Sequence, residues 1–255
     1  MAWREATVDV VVPFEDVAQD GTVKPTAEGT YLDVGNEVID LRMRGGMGSA
    51  DFVKAHGVRQ LGVWCASQPG PGNARPLQTH SLYTKRGLGW FTWRDGSRRH
   101  GSWEIHELMD RDGVLVARWD HKWLWFQLDD SGAMRFLDEP APGIDEDQDI
   151  ELPPINPRPT LAAPREAASF AWTMRETDLN QHVFYRSYLA RTENVLAEAG
   201  IDVSALSHRQ TWYLTSALLT DRMVGLVEEH DDHVLVSLGR EHDGTVCTYA
   251  RFDRP

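Results

Sequence analysis

The stretch RETDLNQHVFYRSYLARTENVLAEAG, residues 175–200, places Asp178, Asn180 and His182 at alternate positions, directly before a segment with one apolar face. These three side chains form a chemically coherent set. A carboxylate can activate water or attack a carbonyl directly. An imidazole and an amide can orient that water or the substrate carbonyl. The start of a long helix presents unbonded N–H groups and the positive end of its dipole, which suit a developing oxyanion. Such an assembly fits attack on an activated acyl carbonyl, a thioester for example. It requires no metal or other cofactor, and the spacing matches no common zinc pattern. Helix capping is the competing use, because Thr177, Asp178 and Asn180 all belong to the types that accept backbone N–H bonds at helix starts. A short motif does not decide between the two.

The elements around the motif are readable from periodicity. Tyr188, Leu189, Thr192, Val195, Leu196 and Ala199 recur on one face, which predicts a helix over 184–199 ended by Gly200. SFAWTMRE before it reads as a strand. RQTWYLTSALL, MVGLVEE, HVLVSLGRE and TVCTYARF after it read as an antiparallel meander with turns at HDD and HDG. The N-terminal part repeats the order: ATVDVVVPF as a strand, a helix over 27–43, then five further β-rich runs from VRQLGVWCAS to GVLVARWDHKWLWFQLDD. YLDVGNEVI, from residue 31, lies over YLARTENVL, from residue 188, without a gap, an offset of 188 − 31 = 157. An internal duplication of one strand–helix–sheet unit accounts for both similarities. At that offset Asp178 falls on Gly21, Asn180 on Val23 and His182 on Pro25, so the first copy keeps the helix and lacks the triplet. The fold class expected is α+β, each unit a curved antiparallel sheet around a long helix. Residues 138–168, rich in proline and acid, read as a linker between a unit at 1–137 and a unit at 169–255 that carries the site.

Bulk properties narrow the function classes. The formal net charge of −13 argues against nucleic acid or an anionic membrane as the main partner. No apolar run reaches membrane-spanning length, and MAWREATVDVVVPFED lacks the basic-then-apolar pattern of a signal peptide, so a cytoplasmic protein without membrane insertion is expected. Cys65 and Cys247 stand alone, without ligand spacing, and read as reduced thiols.

ETDLNQHVFYRSYL, with Asp-x-Asn-x-His-Val and a tyrosine six residues after the histidine, resembles the signature of hot-dog-fold thioesterases. In particular it is similar to the acyl-acyl-carrier-protein thioesterase family, whose chains hold two tandem hot-dog units. DHKWLWFQLDDSGAMRFLDEP and GLGWFTWRD resemble that family's close of the first unit and its preceding strand region. The resemblance implies hydrolysis of an acyl thioester borne on acyl-carrier protein or coenzyme A. It places catalytic roles at Asp178, Asn180 and His182. It also implicates an acid or thiol further along the helix, for which Glu193 is the candidate, one position earlier than the pattern. Phe184 and Tyr185 stand where the family has asparagines, and with Tyr188 they are candidates for contact with the acyl or pantetheine part.

Two surfaces complete the reading. YTKRGLGWFTWRDGSRRHG concentrates Arg94, Arg98 and Arg99 with Lys85, Arg86 and His100 in an acidic chain, a patch suited to coenzyme A phosphates or an acidic carrier protein. Solvated hairpin charges are the plainer reading. Trp119, Trp123 and Trp125 share one strand face, as core packing or as an aromatic-lined pocket. Enoyl-thioester hydratases use a similar triplet with a proline where Gln181 stands, which favours hydrolysis over hydration. A ligand-binding module without turnover is the third alternative. The fused pair of units can serve as the functional dimer, and further homodimerisation stays open.

Overall fold

The computed structural model describes residues 3–17, 23, 24, 27, 31, 34, 35, 37–39, 44–47, 49–72, 74–93, 95–144, 148–177 and 182–254. In chain order the strands are β1 (Trp3–Val11), β2 (Arg59–Pro69), β3 (Thr79–Thr92), β4 (Arg98–Met109), β5 (Leu115–Leu128), β6 (Met134–Phe136), β7 (Ile150–Glu151), β8 (Arg165–Ala171), β9 (His208–Tyr213), β10 (Arg222–Glu229), β11 (His233–Arg240) and β12 (Val246–Asp253). Among the described residues the continuous α-helices are α1 (Ser49–His56) and α2 (Tyr185–Glu198). Two compact units divide the chain: Met1–Val63 with Gly70–Asn156, and Trp64–Pro69 with Pro157–Pro255.

In the first unit β1, β3, β4 and β5 pair antiparallel in that order. Alternate residues of these strands face inward, as the period of two requires: Leu82, Thr84, Arg86, Leu88 and Trp90 on β3, and Trp119, His121 and Trp125 on β5, are all buried. Of the helix expected over 27–43, residues 31, 34, 35 and 37–39 are helical, and the residues between them lie outside the described set. Tyr31 stacks on Trp119 at 5.2 Å between ring centroids. The described residues therefore contain one long helix, α2, rather than one in each unit.

The proline- and acid-rich stretch 138–168 does more than connect. Ala141 and Ile144 pack with Phe52 and Trp125 in a buried cluster. The Gln148 side chain accepts the Ala141 N–H at 2.8 Å and donates to the Ile144 carbonyl at 2.9 Å. β7 then runs parallel to β3 at Gly89–Trp90. Gly89 is required there because any Cβ would collide with the Ile150 backbone. Beyond β7, Leu152 is buried with Phe91 and Leu124, and the Lys122 ammonium donates to the Pro154 carbonyl at 2.6 Å. Composition hides this because the few apolar residues are spaced by contact with a preformed sheet, not by a helical or strand period.

In the second unit residues 64–67 of β2 pair with β9, followed by β12, β11, β10 and β8, all antiparallel. α2 lies against β8, β10 and β11. Its buried residues are Ser187, Tyr188, Leu189, Thr192, Val195 and Leu196, so the apolar face is where periodicity placed it. Tyr188, Val195 and Leu196 join Val227, Val234, Val236, Leu238, Cys247, Ala250 and Phe252 in one core cluster. Each such aliphatic burial contributes about 1.5–3 kcal/mol before entropy is counted. Gly225 leaves room for Val195 to approach the sheet closely, and the β8–β10 register shifts beside it.

Candidate functional site

β8 leads through Trp172 into a 3-10 turn, Met174–Glu176. Thr173 donates to the Glu176 carboxylate from both its N–H and its hydroxyl, each at 2.8 Å, which closes the turn. An antiparallel bridge between Thr177 and Val183 then closes the loop that holds the motif, and a second bridge joins His182 to Leu218. Phe184 N–H donates to the Glu176 carbonyl at 2.9 Å and Val183 N–H to the Ala217 carbonyl at 3.1 Å. Asp178 and Asn180 lie outside the described residues. His182 is described, at the exposed end of the loop.

The start of α2 bears on the capping alternative. Its N-cap is Phe184, extended at φ −62° and ψ 142°, with no side-chain cap bond. Cap side chains act from the cap position on the N–H groups two and three residues onward. Asp178 and Asn180 precede it by 184 − 178 = 6 and 184 − 180 = 4 residues, out of register for that task.

The first unit repeats this turn and this bridge. A 3-10 turn at Phe14–Asp16 is followed by a bridge between Val17 and Val23. These correspond to Met174–Glu176 and the Thr177–Val183 bridge at an offset of 174 − 14 = 177 − 17 = 183 − 23 = 160. The helices align at 157, so the first unit carries three more residues between loop and helix. Matching by the bridges corrects the gap-free register: Asp178, Asn180 and His182 fall over Ala18, Asp20 and Thr22, not over Gly21, Val23 and Pro25. The carboxylate and imidazole are still missing from their places in the first copy.

Other residues singled out by sequence have defined surroundings. Tyr188 is 3% exposed, its ring edge-on to Trp172 at 5.2 Å, and its hydroxyl accepts the Ala217 N–H at 2.6 Å. Burial pushes its pKa up. Tyr185 meets Tyr213 edge-on at 6.2 Å, and the Tyr213 hydroxyl lies 3.5 Å from the Cys65 thiol. Phe184 is exposed beneath the Arg186 guanidinium, 5.5 Å from its ring. Glu193 accepts from Arg209 Nη1 at 3.2 Å, and Arg209 is buried.

The basic patch belongs to the first unit. Arg94 lies outside the described residues. Arg98 lies over Trp90 and pairs with Glu151 at 3.2 Å, while Arg99 lies over both Trp93 and Phe136. Among the described residues no three His, Cys, Asp or Glu side chains group as a metal site, and no helix is long and apolar enough to cross a membrane.

Sequence reading missed an ionic cluster on the inner face of the first unit. Arg86 and Glu104 form an ion pair, each 1% exposed or less. Glu104 also accepts from Trp123 Nε1 at 3.0 Å and Ser102 Oγ at 3.3 Å, and His106 Nε2 lies 3.8 Å away. His106 Nδ1 is 3.0 Å from Thr84 Oγ1. Burial alone would raise the Glu104 pKa, but Arg86, His106 and His121 outweigh it and hold the carboxyl at about 2. Burial lowers the His106 pKa. The only sequence signal was that Thr84, Arg86, Glu104, His106 and His121 occupy alternate strand positions.

No protein-family model matches the sequence, and no curated protein matches it by sequence. Solved structures do match. An acyl-ACP thioesterase from Bacteroides thetaiotaomicron VPI-5482 superposes with a TM-score of 0.70 at 14% identity, over 98% of this chain and 98% of that one. A 12:0-ACP thioesterase from Umbellularia californica gives 0.69 at 11% identity, over 98% and 97%. A MaoC-like dehydratase from Phytophthora capsici gives 0.52 at 12% identity, over 77% and 72%. With nearly the whole length of two such thioesterases matched by this strand order and this α2, the chain has the α+β double hot-dog fold seen in acyl-acyl-carrier-protein thioesterases.

Proposed function

We propose that this chain hydrolyses acyl thioesters carried on acyl-carrier protein or coenzyme A, at the loop before α2 in the second unit. Asp178 acts as general base or nucleophile. His182 and Asn180 position water and stabilise charge, and backbone N–H groups near the helix start receive the thioester oxygen. The first unit, with Ala18, Asp20 and Thr22 in the corresponding places, is the degenerate copy. Phe184 and Tyr185, next along the chain, are proposed to contact the acyl or pantetheine part.

The observation that carries this reading is the pair of matching loops. Both units close them with the same 3-10 turn and bridge, yet the triplet occurs in one only. Loop closure is thus achieved without those residues, and Phe184 occupies the cap. A solvent-facing His182 beside a carboxylate and an amide in sequence is then best accounted for by chemistry.

The test is thiol release from acyl-coenzyme A and acyl-carrier-protein substrates by wild type and Asp178→Ala, with the signal from Cys65 and Cys247 subtracted. Asp178→Ala is expected to lose about 10²–10⁴-fold in turnover while keeping its fold. Equal loss of folding would return the triplet to a structural role. Hydration of enoyl thioesters is the second reading, supported by the likeness in fold to the dehydratase. A wild-type protein that releases no thiol but consumes enoyl thioester would establish it.

A further inference from the structure

We propose that Arg191, through its ion pair with Glu176, is a positioning residue for the site loop, an inference that rests on the thioesterase reading for its kinetic consequence. Arg191 Nε and Nη2 donate to the two oxygens of the Glu176 carboxylate at 2.7 and 2.9 Å, a bidentate pair. The guanidinium is held over Phe170 at 4.8 Å and Trp172 at 5.8 Å, which fixes its plane. Arg191 Nη2 also reaches the Ala171 carbonyl at 3.4 Å. Glu176 in turn ties the entering stem of the loop to the helix. Its carbonyl accepts the Phe184 N–H at 2.9 Å and the Ser187 hydroxyl at 3.2 Å.

The leaving stem is tied to the same helix. Val183 N–H donates to the Ala217 carbonyl, and Ala217 N–H to the Tyr188 hydroxyl at 2.6 Å. Tyr188 and Arg191 are three residues apart and share one side of α2. That side therefore holds both stems from which His182 is presented.

Comparison of the two units separates a functional clamp from a folding requirement. In the loop register Glu176 corresponds to Asp16. In the helix register Tyr188 corresponds to Tyr31 and Arg191 to Val34. The first unit keeps the tyrosine and an acid, has Val34 at the position of the cation, and still makes the bridge. The cation is present where the triplet is present.

The test compares Arg191→Met and Arg191→Lys with wild type by amide hydrogen exchange and by thiol-release kinetics. Arg191→Met is expected to speed exchange about tenfold at Val183 and Phe184 and to leave the core amide of Val236 unchanged. It is also expected to lower kcat about 10–100-fold with KM within about twofold, and Arg191→Lys to recover part of the loss. Glu176→Gln supplies the same comparison should Arg191→Met not fold. Unchanged exchange at Val183 and Phe184, exchange rising equally at Val236, or an unaltered kcat beside loosened stems would each overturn the proposal. A wild type that releases no thiol counts against the thioesterase reading, and exchange alone then decides whether the clamp holds the stems.

Discussion

Glu104 shows at the scale of a single residue how an ionised carboxylate survives at 0% exposure. Arg86, Trp123 and Ser102 donate to it directly, so its charge is matched and its lone pairs are used. Removing one partner of a buried pair leaves the other charged and desolvated, whereas removing both leaves an apolar gap. Glu104→Gln is therefore expected to cost about 3–5 kcal/mol in urea unfolding. The double variant Glu104→Leu/Arg86→Met is expected to cost clearly less than the sum of the two single changes. Additive losses would mean that the pair is not coupled. Glu193 illustrates the same bookkeeping in the second unit, since Arg209 occupies a carboxylate that the family resemblance offered for catalysis.

Elements are positioned here by close approach as much as by apolar area. β7 is two residues long, too short to persist alone, and its place on β3 depends on the missing side chain at Gly89. Leu152 N–H donates to the Trp90 carbonyl at 2.9 Å and continues the contact. Gly89→Ala is expected to displace this strap, with a cost of about 1–3 kcal/mol from overpacking. Limited proteolysis checks it, with faster cleavage within 141–156 expected while α2 stays protected. Cleavage at the wild-type rate would show that the strap is held by Leu152 and Lys122 without β7.

For the whole molecule, acid sensitivity follows from buried groups that hold their protons differently when folded. His100, 0% exposed against Trp90 and Trp125, is kept down at about 4 from 6.5 by burial. Between those values the unfolded chain binds the proton and the folded chain does not. Stability is thus fully present above pH 6.5 and falls by on the order of 3 kcal/mol as pH drops through 4. Glu104, held at about 2 instead of 4.5, loses its own contribution over the lower window. The melting temperature is expected to decline from near pH 6.5 downward. His100→Phe is expected to remove the upper part of that decline, and an unchanged profile would locate the sensitivity elsewhere.

Local periodicity alone determined α2, its buried face and its stop at Gly200, because a helix repeats over distances that a linear scan can see. The duplication was also legible, since it is a match of residue type at fixed spacing. The loop register was not: a gap-free match of helices hides the three extra residues between Val23 and Tyr31 that the bridges reveal. Nor was the ionic core of the first unit, because a period of two separates the faces of a strand without saying which one is buried. Arg86 read as a hairpin charge until β3 and β4 pair and turn it inward beside Glu104. The pairs Glu176–Arg191 and Glu193–Arg209, separated by 15 and 16 residues, were likewise decided only by tertiary structure. Sequence determines which groups are available and how each segment coils. Which charges meet depends on the packing of helix on sheet, where proximity is set by the fold and not by distance along the chain.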